Sequence, residues 1–346
     1  MHPSLGEFTP ISSEDIGDGW TKHTFDPDGG NGPICIAGTP FSAYTKEGSA
    51  RELMILLQGG GACWQNFYFC NILAEDQALP PPPVGVWGTG FDTGTEIIPN
   101  PVGDYSVLYM PYCDGSVFAG DNDVVDASFP FGPVRFHRGL RNLSAGIDLA
   151  KATFPRARRI LVTGSSAGGV GAAGFAPFLT RFAFGNFRKL SVFNDAGPVA
   201  INLSDVAGIA ARAADWDFGK FNPASCTECD VFGQATAIID WRLENDSTIF
   251  EAFYETDADF TNRFFLMVPT QAQYRDLIVT EHGKLNAKYP FRYKRFIVSG
   301  DGSHTALQSN LLYLQEANGT PLDVWLHDFL RRSHHWKDIV EDFVPL

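Results

Sequence analysis

The apolar, β-branched run Arg159-Ile160-Leu161-Val162-Thr163 stops at Gly164-Ser165-Ser166-Ala167-Gly168-Gly169. Such a run reads as a buried strand, and the glycines after it mark a very tight turn. Side chains at Gly164 and Gly168 would collide across that turn, and its apex residue is forced into strained backbone angles. G-x-S-x-G at a strand-to-helix turn is a nucleophile elbow. The turn lifts the Ser166 hydroxyl clear of the sheet, and the next helix offers it unpaired N–H groups and a favourable dipole. The expectation is a covalent acyl intermediate on Ser166.

Further strands are predicted at 52–57, 105–112, 190–195 and 296–299, and helices at 138–153 and 322–330. Residues 1–50 read as short strands with turns near 26–30 and 46–48, and 65–103 as a long irregular excursion. Residues 203–288 read as mostly helical, a cap over the sheet. Alternating strands and helices predict an α/β fold, a doubly wound, mostly parallel sheet with helical cap insertions. Its chemistry belongs at the strand C-termini. One catalytic domain spanning 1–346 is expected, with insertions at about 65–100 and 203–288.

A chain of 346 residues that is 44% hydrophobic and 13% aromatic can fill a large core, and its 29 phenylalanines leave some for an apolar groove. The net charge of −14 argues against nucleic acid and anionic membranes, whose phosphates need basic contacts. No stretch has the length of an apolar membrane span, and the N-terminal residues are no signal peptide. The chain is therefore either cytosolic or exported with its leader removed. Six cysteines, an even number, favour disulfides and an exported, secreted or periplasmic protein. Cys226-Thr-Glu-Cys229 lacks partners for a four-ligand zinc site, so no metal or cofactor is expected.

A serine hydroxyl needs a base, an orienting acid and an oxyanion hole. His304 lies in Ser299-Gly300-Asp301-Gly302-Ser303-His304, a glycine-rich loop directly after a predicted strand, where a base belongs. His282 falls in a polar stretch, and His327, His334 and His335 lie on or beside the closing helix. Asp259, Asp195 and Asp301 are all candidate acids, Asp301 doubling as an Asx-turn residue; spacing does not choose between Asp195 and Asp259. Gly59-Gly60-Gly61 after the 52–57 strand matches the glycine loop that supplies oxyanion N–H groups in esterases, with Gln58 where that motif has His. Ala167, after the nucleophile, would add another.

The blocks Leu56-Leu57-Gln58-Gly59-Gly60-Gly61-Ala62-Cys63-Trp64, Met110-Pro111-Tyr112-Cys113-Asp114-Gly115, Gly164-Ser165-Ser166-Ala167-Gly168-Gly169, Thr256-Asp257-Ala258-Asp259 and Gly302-Ser303-His304-Thr305 resemble the pectin acetylesterase family of serine esterases, bacterial members in particular. The resemblance runs from about 35 to 330. It implies a secreted, metal-free esterase of α/β-hydrolase fold, with Ser166 as nucleophile, His304 as base, Asp259 as acid, and oxyanion amides at Gly60, Gly61 and Ala167. It also implies the pairs Cys63–Cys70, Cys35–Cys113 and Cys226–Cys229, and places Trp64, Asp114 and Ser165 near substrate. The family's elbow usually carries Cys where Ser165 stands here. Around 65–100 and 205–250, which should shape the pockets, the chain departs from the family.

The expected partner is thus an ester: an acetylated glycan or small acetyl ester first, a longer-acyl or bulky aromatic ester as the alternative. A catalytically silent binding protein on the same fold is the contrasting class, disfavoured by the presence of all three catalytic residue types. A monomer is expected. Four sequons, at Asn142, Asn202, Asn245 and Asn318, would matter only in a eukaryotic secretory host.

Overall fold

The computed structural model describes residues 8–27, 31–74, 81–186 and 188–346. The turn expected at 26–30 and the start of the proline run at 80–83 therefore lie partly outside the described residues. The central sheet has ten strands among them: β1 (Ser12–Gly17), β2 (Trp20–Thr24), β3 (Ser42–Lys46), β4 (Ser49–Leu57), β5 (Tyr105–Met110), β6 (Arg159–Ser165), β7 (Lys189–Asp195), β8 (Phe250–Thr256), β9 (Tyr293–Val298) and β10 (Ile339–Val340). Their spatial order is β1-β2-β3-β5-β4-β6-β7-β8-β9-β10. From β5 to β10 every pairing is parallel, and β1 to β3 form an antiparallel extension that joins β5 antiparallel.

The parallel strands are buried on both faces, which is why they read as continuous apolar runs. Along β4, Leu53, Ile55 and Leu57 enter one core with the helices Gly139–Thr153 and Ala176–Phe184. Met54 and Leu56 enter the opposite core, against Trp325, Leu326 and Phe329 of the helix Leu322–Arg331. A sheet covered by helices on both sides is the doubly wound α/β-hydrolase-type architecture expected from the sequence. The three disulfides join Cys35 to Cys113, Cys63 to Cys70 and Cys226 to Cys229.

The stretch 203–288 corrects the sequence reading. It holds the helices Val206–Trp216, Ala237–Asn245 and Gln271–Lys288, but also β8, in the heart of the sheet. Glu251 and Glu255 disguised that strand, because acidic residues are rarely fully buried unless paired. Here both are buried and paired: Arg242 makes a two-pronged ion pair with Glu251 (2.7 and 2.8 Å), and Tyr274 donates to Glu255. The 65–103 excursion is also less irregular than expected. It begins in the hairpin Gly61–Trp64/Phe67–Cys70, clipped by its own disulfide, and includes the short pair Gly90–Asp92/Ile97–Pro99.

Candidate active site

The strand tips align in register: Ser165 of β6 lies opposite Asp195 of β7, which lies opposite Tyr254 of β8. Chain leaving β6, β8 and β9 therefore enters the same region. Ser166 sits on the elbow at φ 58°, ψ −121°, a conformation that costs a non-glycine residue energy. Its neighbours hold it there, with Ser166 N–H donating to Asp195 C=O (2.8 Å) and Val170 N–H donating to Ser166 C=O (3.0 Å). Both elbow glycines are required by close approach. A Cβ on Gly164 would stand 2.3 Å from the Gly168 carbonyl oxygen, and one on Gly168 2.1 Å from that of Leu57.

His304 comes from the loop after β9, and its Nδ1 lies 2.6 Å from Asp259 Oδ2. A carboxylate beside Nδ1 favours the tautomer with the proton there, which leaves Nε2 as an acceptor. That Nε2 is buried and makes no hydrogen bond among the described residues. Asp259 is fully buried; its Oδ1 accepts from Asn262 N–H (2.8 Å) and its Oδ2 also from Asn262 Nδ2 (3.0 Å). The other two candidate acids are committed elsewhere. Asp301 accepts from Ser303 N–H (2.7 Å), the Asx-turn expected of it, and from Gln315. Asp195 accepts from the N–H groups of Ala306 and Leu307 (2.9 and 3.1 Å) and from Ser165 Oγ (2.5 Å).

The glycine loop lies against the elbow, since a Cβ on Gly59 would come within 2.9 Å of Ser166 Cβ. Gly61, at φ +76°, opens the hairpin opposite Cys70. In an antiparallel ladder hydrogen-bonded and open pairs alternate. Asn71 N–H donates to Gly60 C=O, so Gly61–Cys70 is an open pair and the Gly61 N–H points out of the ladder. Cys63, two residues on, turns its N–H out in the same way, to Gly115 C=O.

Ser166, Ala167, Gly61 and Trp64 together wall a cavity of about 210 Å³. Val117, Val170, Phe175, Val199, Ile201, Trp216, Phe218, Ile238 and Phe265 also line it. Val117 and Val199 are β-branched residues at positive φ (51° and 49°), so backbone strain gathers around this space as it does at Ser166. Gly60 and His304 lie outside the wall. Asp114 and Ser165, expected near substrate, are not in it either. Asp114 is fully buried and its Oδ1 caps the turn at Ser116 and Phe118, while Ser165 points into the sheet tips toward Asp195.

A family model described as pectinacetylesterase matches residues 23–206, more than half of the chain. The chain belongs to the pectinacetylesterase family. It is a carboxylic ester hydrolase. The matched span contains the Gly59–Gly61 loop and the Ser166 elbow and ends before Asp259 and His304. No curated protein matches the sequence significantly. Among solved structures, two crystal forms of the Wnt deacylase Notum from Drosophila share the fold. One superposes with a TM-score of 0.62 at 15% identity over 88% of this chain and 93% of that one. The other gives 0.59 at 14% identity over 89% and 93%.

Sequence reasoning missed two residues at the centre of this pectinacetylesterase-family site. Asn262 Nδ2 lies within hydrogen-bonding distance of Asp259 Oδ2, Glu255 Oε2 (2.9 Å) and Ala196 C=O (2.9 Å). Glu255 also accepts from Tyr274 Oη (2.7 Å), and burial plus the nearby Asp259 charge push its carboxyl well above the usual range. The only signal in the sequence was the acidic run Glu255-Thr256-Asp257-Ala258-Asp259, whose members face different ways. Asp257, for instance, turns away to pair with Arg275 (2.8 Å).

Proposed function

We propose that this protein is an exported serine esterase whose preferred ester carries an apolar acyl group larger than acetyl, and that Ser166, His304 and Asp259 are its nucleophile, base and acid. Ser166 Oγ attacks the ester carbonyl as His304 Nε2 takes its proton. Asp259 holds the imidazole through Nδ1–H, and amides of the glycine loop and Ala167 hold the developing oxyanion. His304 returns the proton to the leaving alcohol, then activates the water that frees the acid from Ser166. That Nε2 has no other partner supports its role, and apo hydrogen bonds at such sites often tighten only with substrate bound. The three disulfides support export.

The cavity wall carries the acyl reading. Most of its polar side chains are already committed: Gln234 clasps both backbone groups of Ile201 (2.8 Å each), Asn222 donates to Cys229 C=O (2.7 Å), Trp216 Nε1 to Cys63 C=O (2.8 Å), and Arg212 pairs with Asp205, while Asp230 stands exposed in the wall. A sugar hydroxyl entering there would lose water and, away from Asp230, gain no free partner in exchange. About 10–15 Å³ of such space holds one water-sized group, so the cavity far exceeds an acetyl methyl. The family's name favours a second reading, removal of acetyl groups from a polysaccharide, with the glycan on the outer surface. Turnover of p-nitrophenyl esters from acetate to dodecanoate separates the two. A maximum at octanoate or beyond supports the first reading and one at acetate the second. Ser166→Ala lowers every rate on the order of 10⁴-fold or more; near-normal turnover by that variant removes both.

A further inference from the structure

An apolar rim continues outward from the cavity beside Ser166. Trp64, in the wall, stacks on Phe67 with ring centres 4.0 Å apart, and Phe67 packs against Phe69 (4.7 Å) and Phe264 (5.7 Å). Phe69 and Phe264 meet edge-to-face at 5.4 Å on the solvent side. At a second lip, Asn202 Nδ2 donates to the carbonyls of Leu266 and Met267 (3.2 and 3.0 Å), which ties the turn carrying Leu203 to the chain at Met267. The same turn carries Asp205, which pairs with Arg212 above the Trp64 ring and leads directly into Val206. Phe69, Phe264, Met267, Leu203 and Val206 are each between 45% and 66% exposed.

One exposed apolar side chain needs no explanation. Five on segments that flank one cavity, two of them joined through stacked rings to its wall, form the kind of patch that marks an interaction surface. We propose that this rim docks the enzyme on the surface of an aggregated, uncharged ester, so that an acyl chain passes from the aggregate into the cavity without crossing water. The proposal rests on the reading that the cavity beside Ser166 receives the acyl chain. Two observations select the occupant. The rim is continuous with that cavity, so whatever covers it also presents itself to Ser166. The net charge of −14 disfavours anionic surfaces, and the five exposed rim side chains are all uncharged and apolar, so a neutral apolar surface is their match.

Emulsified trioctanoin, a neutral ester, is the probe, and Ser166→Ala protein lets binding be measured without hydrolysis. The protein is expected to float with the droplets. Phe69→Ser with Phe264→Ser on one lip, or Leu203→Ser with Val206→Ser on the other, should lower that partitioning by about tenfold or more. With Ser166 intact, each pair should keep kcat/KM on monomeric p-nitrophenyl butyrate within about twofold, because neither touches the reacting atoms. Partitioning that neither pair changes overturns the proposal. So does tighter binding to phosphatidylglycerol vesicles than to droplets, or a dimer in sedimentation that either pair dissociates. A wrong nucleophile would show as ester hydrolysis by the Ser166→Ala protein and not as a loss of flotation, so docking and chemistry fail separately.

Discussion

Asp195 accepts a hydrogen bond from Ser165 Oγ at 2.5 Å, and the same carboxylate holds the N–H groups of Ala306 and Leu307. One buried side chain thus fastens the residue before the proposed nucleophile to the loop that carries His304. The sequence offered Asp195 as a rival acid; its place in the fold makes it a clamp instead.

Asp195→Asn should loosen that clamp. An amide has one acceptor oxygen, and its NH₂ would face a donor, leaving at least one buried N–H unpaired. The expected cost is about 1–3 kcal/mol in urea unfolding. On p-nitrophenyl butyrate kcat should fall while KM holds, because His304 is displaced and the cavity is not. Ser165→Ala removes one donor to Asp195 and a longer contact from Gln308 Nε2 (3.3 Å), and should cost only about 1 kcal/mol. Equal losses for the two variants would argue against a shared clamp.

Ile201 offers a way to fill the cavity. Its backbone is held by Gln234, so its side chain can change without releasing the segment. Ile201→Trp should lower kcat/KM for octanoate by about tenfold or more, the worth of roughly two buried methylenes, and leave acetate nearly unchanged. Uniform loss across chain lengths in the p-nitrophenyl series would count against the cavity as the acyl site.

Asp114 makes stability depend on pH. Burial raises its carboxyl from 3.8 to about 6, so the folded protein binds that proton more tightly than the unfolded chain. Its contribution is fully present below about pH 4 and is lost as pH rises through 6. Asp114→Asn keeps an oxygen for the donors at Ser116 and Phe118 and removes the charge. Relative to wild type, the variant should gain on the order of 2–3 kcal/mol between pH 4 and pH 8. Urea melts at both pH values check the sign.

The disulfides should differ in worth. Cys35–Cys113 closes a separation of 78 residues and Cys226–Cys229 one of 3. Loop-closure entropy gives about 4–5 kcal/mol for the first and about 1–2 kcal/mol for the second. Paired Cys→Ala variants compared by urea unfolding should reproduce that order.

The elbow was legible because its demands are local: Gly164 and Gly168 are needed by contacts within a few residues and one strand of Ser166. The buried parallel strands were legible because burial on both faces leaves apolar runs. Strand β8 was not, since Glu251 and Glu255 look like surface residues until Arg242, Asn262 and Tyr274 are seen beside them. Sequence by itself, through local steric need and apolar patterning, determined the fold class, the place of Ser166 and the loop of His304. Tertiary structure alone decided that Asp195 is a clamp, that Asp114 and Ser165 lie beneath the site, and that the wall beside Ser166 is largely apolar with most of its polar groups already committed. Those outcomes depend on which distant side chains meet when β6 to β9 bring their tips together, and no spacing along the chain encodes that meeting.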